Sequence, residues 1–145
     1  MVKKKLRLTD ERNYFKPFTY PWAYESWLKH EQSHWLHTEV PMIEDVKDWK
    51  NRLTDNEKQF LTHIFRFFTQ GDIDVAGGYV RNYLPHFPQP EIRMMLSGFA
   101  AREALHIAAY SHLIETLGLP ETTYNQFLEY QEMRDKHDYV LNQAN

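Results

Sequence analysis

Along residues 92–117, apolar side chains recur in steps of three and four as Ile92, Leu96, Phe99, Leu113 and Leu117, and the same stripe carries Glu103, His106 and Tyr110. That period belongs to a helix with one face turned to a core. It places a carboxylate, an imidazole and a phenol in a seam that should be apolar. A lone buried carboxylate carries an effective penalty of roughly several kcal/mol unless something pairs with it. A metal ion is an economical partner, because Glu-x-x-His projects two ligands from one face, one turn apart. Tyr110 follows one turn later, about 6 Å along the axis. By residue type alone it reads as a core tyrosine with a hydrogen-bonded hydroxyl.

A second long helix precedes this one. Thr54-Asp55-Asn56-Glu57 has the form of a capping box, so a helix starts here and runs towards Leu84. Its stripe is Leu61, Phe65, Phe68, Asp72, Val75, Tyr79 and Tyr83, with Asp72 the odd member. Gly71, Gly77 and Gly78 each cost about 1 kcal/mol relative to Ala in a helix interior. They signal a local distortion or a close neighbour, or else an early end to the helix. Pro85, Pro88 and Pro90 make a turn, the next helix spans about Glu91 to Leu117, and Gly118 stops it with Pro120 just beyond. The two helices form an antiparallel hairpin on which Asp72 can face Glu103 and His106. Neither stripe carries a Lys or Arg to neutralise them.

The remainder is helical too. Residues 10–22, with Asn13, Pro17 and Pro21 among aromatics, read as an extended arm. Tyr24 to Leu36 reads as a first helix, Ile43 to Asn51 as a short one containing Trp49, and Glu121 to about Asn142 as a last, more polar one. The expected organisation is an arm at 1–22 and a partial ferritin-like, all-α bundle at 23–145. Glu-x-x-His by itself is a weak signal, for the chain holds a second copy, Glu31-Gln-Ser-His34. His30, His34 and His37 near Trp35 imitate a zinc site, but three histidines on a short charged helix are more often solvated.

Composition narrows the chemistry. The 145 residues contain no cysteine, which excludes disulfides, thiolate catalysis and iron–sulfur sites, and any metal must be held by oxygen and imidazole. A net charge of −3 gives no reason to expect nucleic acid, and Lys3, Lys4, Lys5 and Arg7 read as a solvated tail. No apolar run reaches the length of a membrane span, and Met1 to Thr9 lacks the core of a signal peptide, so the expectation is a cytoplasmic protein without a membrane partner.

At this point the chain resembles the small, radical-bearing subunit of class I ribonucleotide reductase. The resemblance covers about residues 20–118. It rests on Trp35-Leu-His-Thr-Glu39, on Asp72, and on Glu103-x-x-His106-x-x-x-Tyr110 placed 31 residues after that Asp. It implies that Asp72, Glu103 and His106 are ligands of a dinuclear iron or manganese centre and that Tyr110 becomes a stable radical when the centre reacts with oxygen. Trp35 would lie on the route carrying the oxidising equivalent to the large subunit, where nucleotides are reduced.

One feature departs from that family, whose members also use a further Glu and a second Glu-x-x-His on another helix pair. Dinuclear carboxylate bundles use four carboxylates and two histidines. Asp72, Glu103 and His106 are half of that set. The resemblance therefore implies the N-terminal portion of a small subunit, completed by a complementary half on a second chain. Two alternatives stand beside it: a ferritin-like homodimer that oxidises or stores iron, its site closed by a second copy, and a metal-free helical interaction module.

Overall fold

In the computed structural model, residues 6–143 are described, with side chains to Asn142; Lys3, Lys4 and Lys5 of the basic start lie outside that range. Every regular element within it is helical: α1 (Pro21–Gln32), α2 (Ile43–Asn51), α3 (Asp55–Gly78), α4 (Pro90–Thr116), α5 (Thr122–Asn125) and α6 (Gln131–Gln143). Short 3₁₀ turns occupy His37–Glu39 and Gln126–Glu129, and a π-helical turn occupies Tyr79–Tyr83. The chain divides into two units. One joins the described residues up to His34 with Ala76–Arg102; the other joins Trp35–Val75 with Glu103 onward.

The first unit is built where the aromatic N-terminal segment meets the start of α4. Ala23, Ile92 and Leu96 form its buried centre, with Tyr20, Tyr79, Leu84, Phe87 and Met95 against it. Glu91 in the first turn of α4 is fully buried. Its carboxylate accepts from the backbone N–H of Thr19 and of Tyr20, each at 2.9 Å, and from the Arg12 guanidinium. Arg12 also donates to the carbonyls of Phe15 and Pro17.

α1 begins earlier than the periodicity predicts and ends earlier as well. Pro21 is tolerated at the first helical position, where its missing N–H has no partner to lose. At the other end the Ser33 hydroxyl and N–H both bond the Lys29 carbonyl, and the chain turns extended at Leu36. Trp35 therefore lies in the link after α1, not on it.

In the second unit the capping box forms as expected. The Glu57 carboxylate accepts from the Thr54 N–H and hydroxyl, each at 2.8 Å, while the Glu57 N–H reaches Thr54 Oγ1 at 3.4 Å. The glycines do not end α3 early; the helix passes through Gly71 and Gly77 to Gly78, beyond which the backbone widens into the π-helical turn. Gly118 closes the stretch after α4 at φ +74°, a conformation favouring glycine.

The last segment is not one helix. It breaks into α5, a 3₁₀ turn, an extended Tyr130 and α6. The cause is tertiary. Buried Arg66 of α3 donates to the Thr123 carbonyl at 2.9 Å, to Gln126 Oε1 at 2.6 Å and to the Tyr130 hydroxyl at 3.3 Å, holding this stretch against α3 in a shape that a straight helix does not present. No helix among the described residues is long and apolar enough to cross a membrane.

Candidate metal centre

The ligand types that the two helices offer converge within the second unit. One donor atom from each of Asp72, Glu103 and His106 lies within 4.8 Å of the other two, the sole group of three acidic or imidazole ligands found among the described residues. Asp72 arrives from α3, Glu103 and His106 from successive turns of α4. Glu103 Oε2 lies 3.1 Å from His106 Nδ1, with the two side chains 16% and 39% exposed, so the cluster is sunk but open on the imidazole side.

The electrostatics agree with a cation site. Asp72 Oδ2 is buried and has no hydrogen-bond partner. Burial, and then the Glu103 charge, raise its pKa above the usual carboxylate range against the opposing pull of His106. Among the described residues no Lys or Arg forms an ion pair with Asp72 or Glu103. Two carboxylates, an imidazole and an orphaned buried oxygen suit a hard or borderline divalent cation.

A cavity of about 410 Å³ adjoins the cluster, lined by Trp35, Phe68, Asp72, His106, Ala109 and Tyr110. The Trp35 ring stacks on the His106 ring at 22°, centroids 6.3 Å apart. Burial, and then the Asp72 charge, raise the Tyr110 phenol above its ordinary value. Five residues singled out from the sequence, Asp72, Glu103, His106, Tyr110 and Trp35, thus fall together. Glu31 and His34 of the second Glu-x-x-His are exposed and stand outside the cluster.

The sequence puts Phe68 on the Asp72 stripe without pairing it with Tyr110, and it does not pair Asp74 with His137. Phe68 stacks on Tyr110, and the signal available was its place four residues before Asp72, matching Tyr110 four after His106. Asp74 and His137 pair at 2.7 Å, and nothing in the sequence links them.

The helical fold and this cluster define a class: an all-α protein with a carboxylate–histidine group whose donor atoms are spaced as metal ligands could be. The family model for the ribonucleotide reductase small chain matches residues 12–145, and the chain belongs to that family, with its all-α, ferritin-like fold. A probable ribonucleoside-diphosphate reductase small subunit of Invertebrate iridescent virus 6 is 63% identical over 135 residues, covering 93% of this chain and 38% of the relative. Its counterpart in Invertebrate iridescent virus 3 is 58% identical, covering 94% and 36%. A ribonucleoside-diphosphate reductase subunit beta of Chlamydia pneumoniae is 33% identical, covering 89% and 38%. The chain thus spans little more than a third of the length of these relatives. These likenesses do not favour the iron-storing homodimer or the metal-free module.

Proposed function

We propose that this chain supplies part of the small subunit of a class I ribonucleoside-diphosphate reductase, contributing half of a dinuclear metal centre and a radical tyrosine. The observation that carries this reading is Asp72 Oδ2, buried beside Glu103 and His106 and, among the described residues, without a hydrogen-bond partner or an ion pair to Lys or Arg. Asp72, Glu103 and His106 would hold the metal, and the other ligands come from a complementary segment or chain. Two Fe or Mn ions bound there supply, with O₂, a one-electron oxidant.

The chain's own residues then have defined tasks. Tyr110 gives up one electron and its phenolic proton; it lines the same cavity as Asp72, whose carboxylate would be at hand to take that proton. Phe68 and Ala109 line the cavity around the phenol and limit its contact with water. Trp35, stacked on His106, passes the oxidising equivalent outward to the large subunit, where nucleotides are reduced.

The test adds Fe(II) and O₂ to this chain with its complementary half and seeks a tyrosyl radical by electron paramagnetic resonance. A signal that survives in Tyr110→Phe removes the assignment.

A further inference from the structure

We propose that Phe68 is the positioning residue for Tyr110: its ring fixes the plane of the phenol, and through that plane the spectrum and lifetime of a radical formed there. The inference rests on Tyr110 as the radical site. The two rings lie parallel within 4°, centroids 5.7 Å apart, which is the offset-stacked geometry aromatic pairs prefer.

The register of the two helices produces the pair. Phe68 precedes Asp72 by four residues on α3, and Tyr110 follows His106 by four on α4. On antiparallel helices, one contact between Asp72 and His106 brings the side chains one turn away on each helix together as well. Spacing that assembles the ligands therefore also delivers a flat apolar ring to the phenol.

Among the described residues no hydrogen bond to the Tyr110 hydroxyl is found, and the Phe68 stack is the ring–ring contact that bears on its plane. Phe68 is itself steadied edge-on by Phe67, with centroids 5.5 Å apart at 70°, and the Lys136 ammonium lies 5.1 Å from the Phe67 ring centre. Phe68 also borders both the 410 Å³ cavity at the ligands and a larger, mainly apolar one of about 570 Å³ between α3 and α6. It stands as a partition between Tyr110 and that second space.

The chemical consequence lies in the radical's hyperfine pattern. Coupling to the two β-methylene protons depends on the angle between the Cβ–H bonds and the ring plane, so a ring freed from its stack gives a different or broadened spectrum. Phe68→Leu keeps apolar volume and removes the flat face; Phe68→Tyr restores it.

Two measurements test the proposal. In the metal-free chain carrying ring-labelled tyrosine at position 110 alone, Phe68→Leu is expected to move the Tyr110 ring resonances and speed ring flipping, and Phe68→Tyr to return both towards wild type. In the complex with its complementary half, treated with Fe(II) and O₂, Phe68→Leu is expected to change the β-proton couplings and shorten radical lifetime about two- to tenfold, the span one aromatic pair contributes. Unchanged ring resonances in Phe68→Leu overturn the proposal whether or not a radical forms. So does a radical of unchanged couplings and lifetime. A complex whose wild-type form yields no Tyr110 radical sinks the functional reading and with it the radical arm of this proposal, while the resonances still report on the stack.

Discussion

His137 of α6 stands 2.7 Å from the Asp74 carboxylate of α3, with side chains 17% and 10% exposed. Gln70, one turn earlier on α3, donates to the other Asp74 oxygen at 3.2 Å. This pair ties α6 to α3. His137→Ala leaves a nearly buried carboxylate short of a partner, a loss of about 1–3 kcal/mol. Urea unfolding of the two single variants and of Asp74→Asn with His137→Ala is expected to show non-additive losses. Additive losses would mean that the contact contributes nothing of its own.

The Arg12–Glu91 ion pair is fully buried on both sides. Removing one partner strands the other, at about 3–5 kcal/mol; Glu91→Gln is expected to fall in that range by chemical unfolding. Burial pushes the Glu91 pKa up, but the Tyr20 N–H and other backbone donors with Arg12 outweigh it, and the net shift is downward. The unfolded chain therefore binds this proton at higher pH than the folded one. The stabilisation is complete above the ordinary carboxylate value and is lost as pH falls through the lowered folded value. Wild type should lose stability over that acid window and Glu91→Gln should lose less; parallel curves would contradict the assignment.

How much of this could be read from sequence follows from the range of each interaction. Thr54 with Glu57, Gly118, and the spacing of Glu103, His106 and Tyr110 are local, acting within one or two turns, so composition and period expose them. Placing Asp72 opposite the pair needed one further step, a proline-marked turn between two long helices. Tyr24 to Leu36 keeps helical spacing, which predicts Trp35 on a helix, yet Ser33 bonding back to Lys29 ends α1 first. The broken last helix is owed to Arg66, 57 residues before Thr123, and Arg12 meets Glu91 across 79 residues. Partnerships at such separations leave no periodic trace.

Arg66 supplies a direct test of that last point. Its guanidinium bonds Thr123, Gln126 and Tyr130, and bonds to a charged donor contribute about 1.5–3 kcal/mol each. Arg66→Met is expected to lower amide-exchange protection across residues 122–130 while α3 keeps its own. Arg66→Lys, with a point charge in place of a planar fork, should fall between. Equal protection in all three proteins would show that local propensity shapes this segment.

Asp72→Asn separates the metal-free state from the loaded one. Without metal, the Asp72 carboxylate is desolvated beside the Glu103 charge and its buried Oδ2 has no hydrogen-bond partner among the described residues, so neutralising it relieves repulsion and should leave the metal-free chain as stable as wild type or more so. Bound metal reverses the order. A ligand at a hundred times its Kd adds about 2.7 kcal/mol to the form that binds it, equivalent to several degrees at about 2–4 °C per kcal/mol for a chain of this size. In the complex with the complementary half, Mn(II) is expected to raise the melting temperature of wild type and much less that of Asp72→Asn. Thermal scans with chelator and with Mn(II) decide it. A variant already destabilised under chelator would mean that the Asp72 carboxylate stabilises the fold without metal, whereas equal Mn(II) responses would mean that Asp72 is not a ligand.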